Sequence, residues 1–217
     1  MAAGGFYMKR YRMWAVILLV LFLGLIGALL SVDVQYVGAG GTSLGLARMN
    51  TWLLGVLGTH VWWYELSEWL GVLSLLVVGG FGILALAQMI QRRSLKKIDS
   101  SLYVLFLFYV LLAFLYGFFE MFVINYRPFV LEPSFPSSHI LLVVFVMGST
   151  CVLLPHMMSS GRKTLLLQGL CLLVAVSTIV GRLLSGVHWS TDILGAVILA
   201  ASLVLFFAAV IRKGGFR

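Results

Sequence analysis

Six stretches of this chain run without a charged residue for long enough to cross a membrane, and short polar segments separate them. They extend from Met13 to Val32, Trp69 to Gln91, Ser100 to Phe119, Ile140 to Leu154, Thr164 to Gly181 and Ile193 to Ile211. At about 1.5 Å per helical residue, roughly twenty residues cover a 30 Å hydrocarbon core. Only the fourth falls short, because Pro155 closes it, and it reaches length by taking in His139 and the residues past the proline. The pattern predicts an all-α integral membrane protein, a single domain over 1–217, with spans at about 13–34, 67–91, 100–124, 138–157, 164–184 and 189–211. Residues 35–66 are apolar but interrupted by glycines, and they carry Trp52, Trp62, Trp63 and Tyr64. Such rings favour the headgroup zone, so an interfacial helix is expected there, with a re-entrant segment as the other reading. The first span reads as an uncleaved helix, since its apolar run exceeds the roughly 7–15 residues of a signal peptide.

Composition excludes a soluble globular protein: 62% of residues are hydrophobic and 10% charged, and the mean hydropathy is +1.09. The formal charge of +8 would suggest nucleic acid in a soluble chain, but here it is distributed by membrane side, and no nucleic-acid partner is expected. Lys9, Arg10 and Arg12 precede the first span, Arg92, Arg93, Lys96 and Lys97 follow the second, Arg162 and Lys163 follow the fourth, and Arg212, Lys213 and Arg217 follow the sixth. The positive-inside rule makes that side cytoplasmic, with both termini inside and a plasma membrane, of bacterial type, as the expected location. The opposite face keeps three basic residues, Arg48, Arg127 and Arg182, among Asp33, Glu65, Glu68, Glu120, Glu132 and Asp192. Cys151 and Cys171 lie in apolar runs away from any thiol or metal motif and read as packing residues. His60 and His156 read as structural.

Ionisable side chains at the end of a membrane helix are costly unless paired or used. Three groups on the outer face qualify: Glu120 with Arg127-Pro128, then Pro136-Ser137-Ser138-His139, then Gly181-Arg182 followed by His188 and Asp192. Two guanidiniums can each present a fork of donors to a tetrahedral oxyanion. The hydroxyls of Ser137 and Ser138, and the N–H groups of a helix starting there, add neutral donors. His188 and Asp192 are four apart, so a carboxylate on one imidazole nitrogen orients the ring and leaves the other free to attack. His139 is the candidate proton donor to a leaving alkoxide. Nucleophile, orienting acid, proton donor and oxyanion clamp are supplied with no metal or other cofactor.

In order and spacing these stretches resemble the type-2 phosphatidic acid phosphatases, in the superfamily that includes vanadium haloperoxidases, whose pattern is Lys-x6-Arg-Pro, Pro-Ser-Gly-His and Ser-Arg-x5-His-x3-Asp. The resemblance covers residues 100–200 most clearly. It implies a six-helix, metal-independent phosphatase acting on lipid phosphates at the outer surface. By position, His188 is the nucleophile that becomes phosphohistidine, Asp192 orients it, His139 protonates the leaving group, and Arg127, Arg182 and Ser137 hold the phosphoryl oxygens. The substrate class it implies is phosphatidate, phosphatidylglycerophosphate or polyprenyl phosphate or diphosphate, entering sideways past the Trp-rich segment.

Three positions depart from the pattern. Ser138 stands where the family has Gly, Gly181 replaces the Ser before Arg182, and Glu120 takes the place of the first-motif Lys. A carboxylate cannot donate to a phosphate dianion. Glu120 is therefore expected to hold an arginine through a bidentate pair, or else to face an ammonium or hydroxyl of the headgroup. It also leaves open a lipid phosphotransferase using the same histidine, because less positive charge suits a diester monoanion. A non-catalytic lipid-phosphate-binding membrane protein is the reading from outside enzymology.

Overall fold

The computed structural model describes residues 2–214, with side chains over 8–212. Among the described residues seven α-helices follow one another: α1 (Ala2–Ser31), α2 (Ala47–Leu57), α3 (Val61–Arg92), α4 (Ser100–Met121), α5 (Ser138–Met157), α6 (Gly161–Ser185) and α7 (Ser190–Gly214). All except α2 are long and apolar enough to span a membrane, and they number six. They alternate in direction, so the loops at 32–60, 122–137 and 186–189 gather at one end of the bundle, the site end. Apolar side chains such as Val20, Leu76, Phe114 and Leu172 cover the outside, as lipid contact requires.

The centre is built from α5 and α7, which are the most buried helices. α7 packs most extensively on α1 and then on α5, while α5 also packs on α6 and α3. At the site end the core closes with aromatic rings. Phe135, 2% exposed, stacks on Phe22 with centroids 5.6 Å apart and meets the edge of Phe119 at 6.2 Å. This ring pins the α4–α5 loop between Ser134 and Ser137.

Several predicted ends move, each for a local reason. α1 stops at Ser31 rather than 34, because Asp33 adopts a left-handed backbone (φ 46°) and its carboxylate accepts the Arg48 N–H at 2.8 Å at the start of α2. α3 begins at Val61, six residues before the expected 67, so Trp62, Trp63 and Tyr64 lie in its opening turns and not in the connecting helix. The connecting helix itself exists, as α2. α4 ends at Met121 instead of 124, and the chain turns there to carry Asn125 inward. α5 spans Ser138–Met157, as expected, with Pro155 accommodated in its last turn.

Candidate active site

The α4–α5 loop folds back on itself as a short hairpin. Backbone bonds join Arg127 N–H to Glu132 O and Ser134 N–H to Asn125 O, each 3.0 Å. This sets Asn125 and Ser134 side by side, facing the start of α7. The Trp189 indole N–H donates to Tyr126 O at 2.7 Å, and the Ser137 N–H donates to Asp192 O at 3.2 Å, tying the loop to α7 at two points.

Asp192 is fully buried in the first turn of α7 and accepts from three directions. Asn125 Nδ2 donates to Oδ1 at 3.0 Å, the Trp189 N–H donates to Oδ2 at 2.9 Å, and the Ser134 hydroxyl donates to the same Oδ2. A carboxylate so enclosed has its lone pairs satisfied and its position fixed. His188 precedes the helix instead of beginning it, and its Nδ1 stands 3.7 Å from Asp192 Oδ2. That is too long for a hydrogen bond. The Ser134 oxygen lies between them, 3.1 Å from Nδ1. The expected pairing of His188 with Asp192 is therefore present but bridged.

Burial pushes His188 below the ordinary histidine value of 6.5; its contact with Asp192 opposes the shift, and Arg127 and Arg182 reinforce it. The ring is therefore neutral at pH 7, and one of its nitrogens keeps a lone pair. Because the folded chain binds this proton less readily than the unfolded chain, the associated stability is complete above pH 6.5 and declines as pH falls below it. Thermal unfolding in detergent should show a midpoint that is level from pH 8 to 7 and drops below about 6.5, at up to about 1.4 kcal/mol per pH unit for one proton. The drop should be smaller in His188→Gln.

The arginines are held differently from expectation. Arg182, 4% exposed, pairs with Glu68 of α3 and lies 5.3 Å from the Tyr64 ring centroid. Arg127 Nη1 pairs with Glu132 Oε2 at 2.9 Å. Glu120 takes part in neither pair. It is exposed and lines a small pocket with Ser134, Ser138, Tyr116 and His188. The expected Glu120–arginine bridge is thus corrected: α4 ends one residue past Glu120, and the hairpin carries Arg127 to its own partner, Glu132.

α3 supplies a second hold. The Ser67 carbonyl is 2.8 Å from His139 Nε2, one residue before the carboxylate that pairs with Arg182. Bonding to a carbonyl requires a proton on Nε2, so any proton His139 gives up must leave from Nδ1. Two glycines permit the approach. A Cβ on Gly71 would clash with His139 Nε2, and one on Gly181 would lie 3.1 Å from Ser67 Cβ and from Trp63 O. Gly181 thus has a packing reason to differ from the family Ser. Ser138 is half-buried at the start of α5 and lines the pocket beside His188.

Sequence reasoning missed Asn125, Ser134, Glu68 and Asn50. Asn50 of α2, 1% exposed, accepts through Oδ1 from Ser190 Oγ at 2.8 Å and the Thr191 N–H at 3.2 Å. It caps the first turn of α7 from another element. No metal-ligand cluster of three His, Cys, Asp or Glu occurs among the described residues.

Fold and site together define a polytopic helical membrane protein with a buried histidine–aspartate unit beneath two arginines at one end of its bundle. Residues 118–215 match the family model described as the PAP2 superfamily. It is similar to a solved structure described as the first transmembrane PAP2-type phosphatidylglycerolphosphate phosphatase from Bacillus subtilis. The likeness has a TM-score of 0.64 and 19% identity over 93% of this chain and 94% of that one. At that identity the likeness is one of fold. No curated protein matches the chain.

Proposed function

We propose that the protein is a lipid phosphate phosphatase that works through a phosphohistidine on His188. One observation carries this reading. Among the described residues, Arg127 Nε, Arg182 Nε and the Ser137 hydroxyl are buried donors with no protein partner, and both arginines act on the His188 ring. Orphaned buried donors cost about 1–3 kcal/mol each, and a phosphoryl group with three oxygens satisfies them. The exposed Arg127–Glu132 pair is worth only about 0–1 kcal/mol, so phosphate can take the place of Glu132 cheaply.

The lipid tail has a place as well. An apolar cavity of about 350 Å³ begins at Ser138 and His139 and runs between α3 and α4 to Val78 and Tyr109. There it meets a second of about 310 Å³ that continues to Ile98. A substrate entering sideways sets its phosphate between Arg127 and Arg182 and its chain in this groove. His188 Nε2 attacks phosphorus in line, the arginines stabilise charge on the equatorial oxygens, and the lipid oxygen leaves with a proton from His139. Water then cleaves the N–P bond. The chemistry needs no metal, and the site faces the side opposite the Lys- and Arg-rich loops, in a plasma membrane with both termini inside.

The second reading is a lipid phosphotransferase, favoured by the unpaired Glu120 in the pocket beside His188 and by the acid already paired with each arginine. Phosphate release from phosphatidate, phosphatidylglycerophosphate and polyprenyl phosphates, with EDTA present, tests both. The phosphatase reading expects free phosphate at an undiminished rate. Glu120→Lys should raise kcat/KM for monoester dianions by about tenfold, as one favourable charge contact of about 1.4 kcal/mol gives. Label recovered in a second lipid, with no release to water, would establish the transferase.

A further inference from the structure

We infer that Ser134 is the positioning residue of the nucleophile: its hydroxyl joins His188 to Asp192 and decides which ring nitrogen carries the proton. The hydroxyl, 2% exposed, has one proton and two neighbours, Asp192 Oδ2 and His188 Nδ1 at 3.1 Å. An ionised carboxylate only accepts. The Ser134 proton therefore goes to Asp192, and the oxygen must accept from His188 Nδ1–H. Nε2, which has no hydrogen bond to the protein among the described residues, keeps its lone pair for attack.

Asp192 cannot take over this task. Its two oxygens are held by Asn125 and by the Trp189 N–H, and Nδ1 stands 3.7 Å away, beyond hydrogen-bond reach. The hydroxyl also transmits charge. When Nε2 bonds to phosphorus and the lipid oxygen departs, the ring becomes cationic with its Nδ1 proton in place, and Asp192 stabilises it through Ser134 rather than by contact. The serine on which the family resemblance rests, Ser137, plays no part in this connection.

Nitrogen-15 spectra of histidine-labelled protein in detergent, in wild type and in Ser134→Ala, test the inference independently of turnover. Wild type should show His188 neutral with the proton on Nδ1, and Ser134→Ala should lose that preference, moving toward the Nε2–H form. Two results would overturn it: an Nε2–H ring in wild type, which needs no variant, or an Nδ1–H ring preserved in Ser134→Ala. The kinetic part rests on the phosphatase reading. Ser134→Ala should lower kcat by roughly 10- to 100-fold, the range for losing an outer partner that orients a histidine, with KM little changed, and Ser134→Thr should recover most of it. A wild type silent on every lipid phosphate would sink the phosphatase reading, while the ring's proton position would still decide for or against Ser134.

Discussion

His188→Ala should abolish phosphate release while leaving the bundle folded. In the proposed mechanism His188 supplies the bond that splits one displacement into two easier ones, and no other described side chain shares its position under both arginines. Its loss should cost about 10⁴-fold or more in kcat. Stability should change little, because among the described residues the ring's one hydrogen bond is to the Ser134 hydroxyl, and Asp192 keeps its bonds to Asn125, Ser134 and Trp189. Phosphate release, read with the thermal midpoint in the same detergent, checks both halves. Turnover within tenfold of wild type would remove His188 from the mechanism.

Asp192→Asn should fail on both counts. The carboxylate is the meeting point of three donors on its two oxygens, and an amide keeps one acceptor oxygen while its NH₂ faces the Asn125 NH₂ or the Trp189 N–H as they stand. Each orphaned group costs about 1–3 kcal/mol, so a loss of roughly 3–5 kcal/mol is expected, enough to shift the thermal midpoint well below that of His188→Ala. The charge that would stabilise the proposed cationic phosphohistidine disappears too, and kcat should fall by about 10²-fold or more. Equal midpoints for the two variants would mean that Asp192 serves the chemistry without organising the loop. Comparing the variants thus separates the reacting ring from the framework that holds it.

The helical architecture and the site end were readable from the chain because both depend on long-range sums. Runs of apolar residues report spans, and the distribution of Lys and Arg predicts which loops share a side. Arg127, Arg182, Ser137, His188 and Asp192 stood out because a charge or hydroxyl beside an apolar run needs a reason. What escaped detection was set by backbone direction. Ser134 and Asn125 are ordinary loop residues until the 125–134 hairpin turns both toward α7. Glu68 looked like one more acid on an acidic face, and became the partner of Arg182 because α3 packs against α6. Glu120 misled for the same reason in reverse: its helical spacing to Arg127 means nothing once α4 stops at Met121. Gly71 gave no signal at all, since the side chain it makes room for, His139, belongs to another helix.

The packing of α7 on α1 has a consequence for biosynthesis. His188 and Asp192 introduce α7, which follows α1 to α6 in the chain, and its main neighbour is α1. Every earlier stage of membrane insertion holds the arginine of the hairpin, the α2 asparagine and the serine bridge with nothing to close upon. The site can therefore assemble only when α7 is threaded against α1, and a nascent chain that stops before α7 has no partial site to lose.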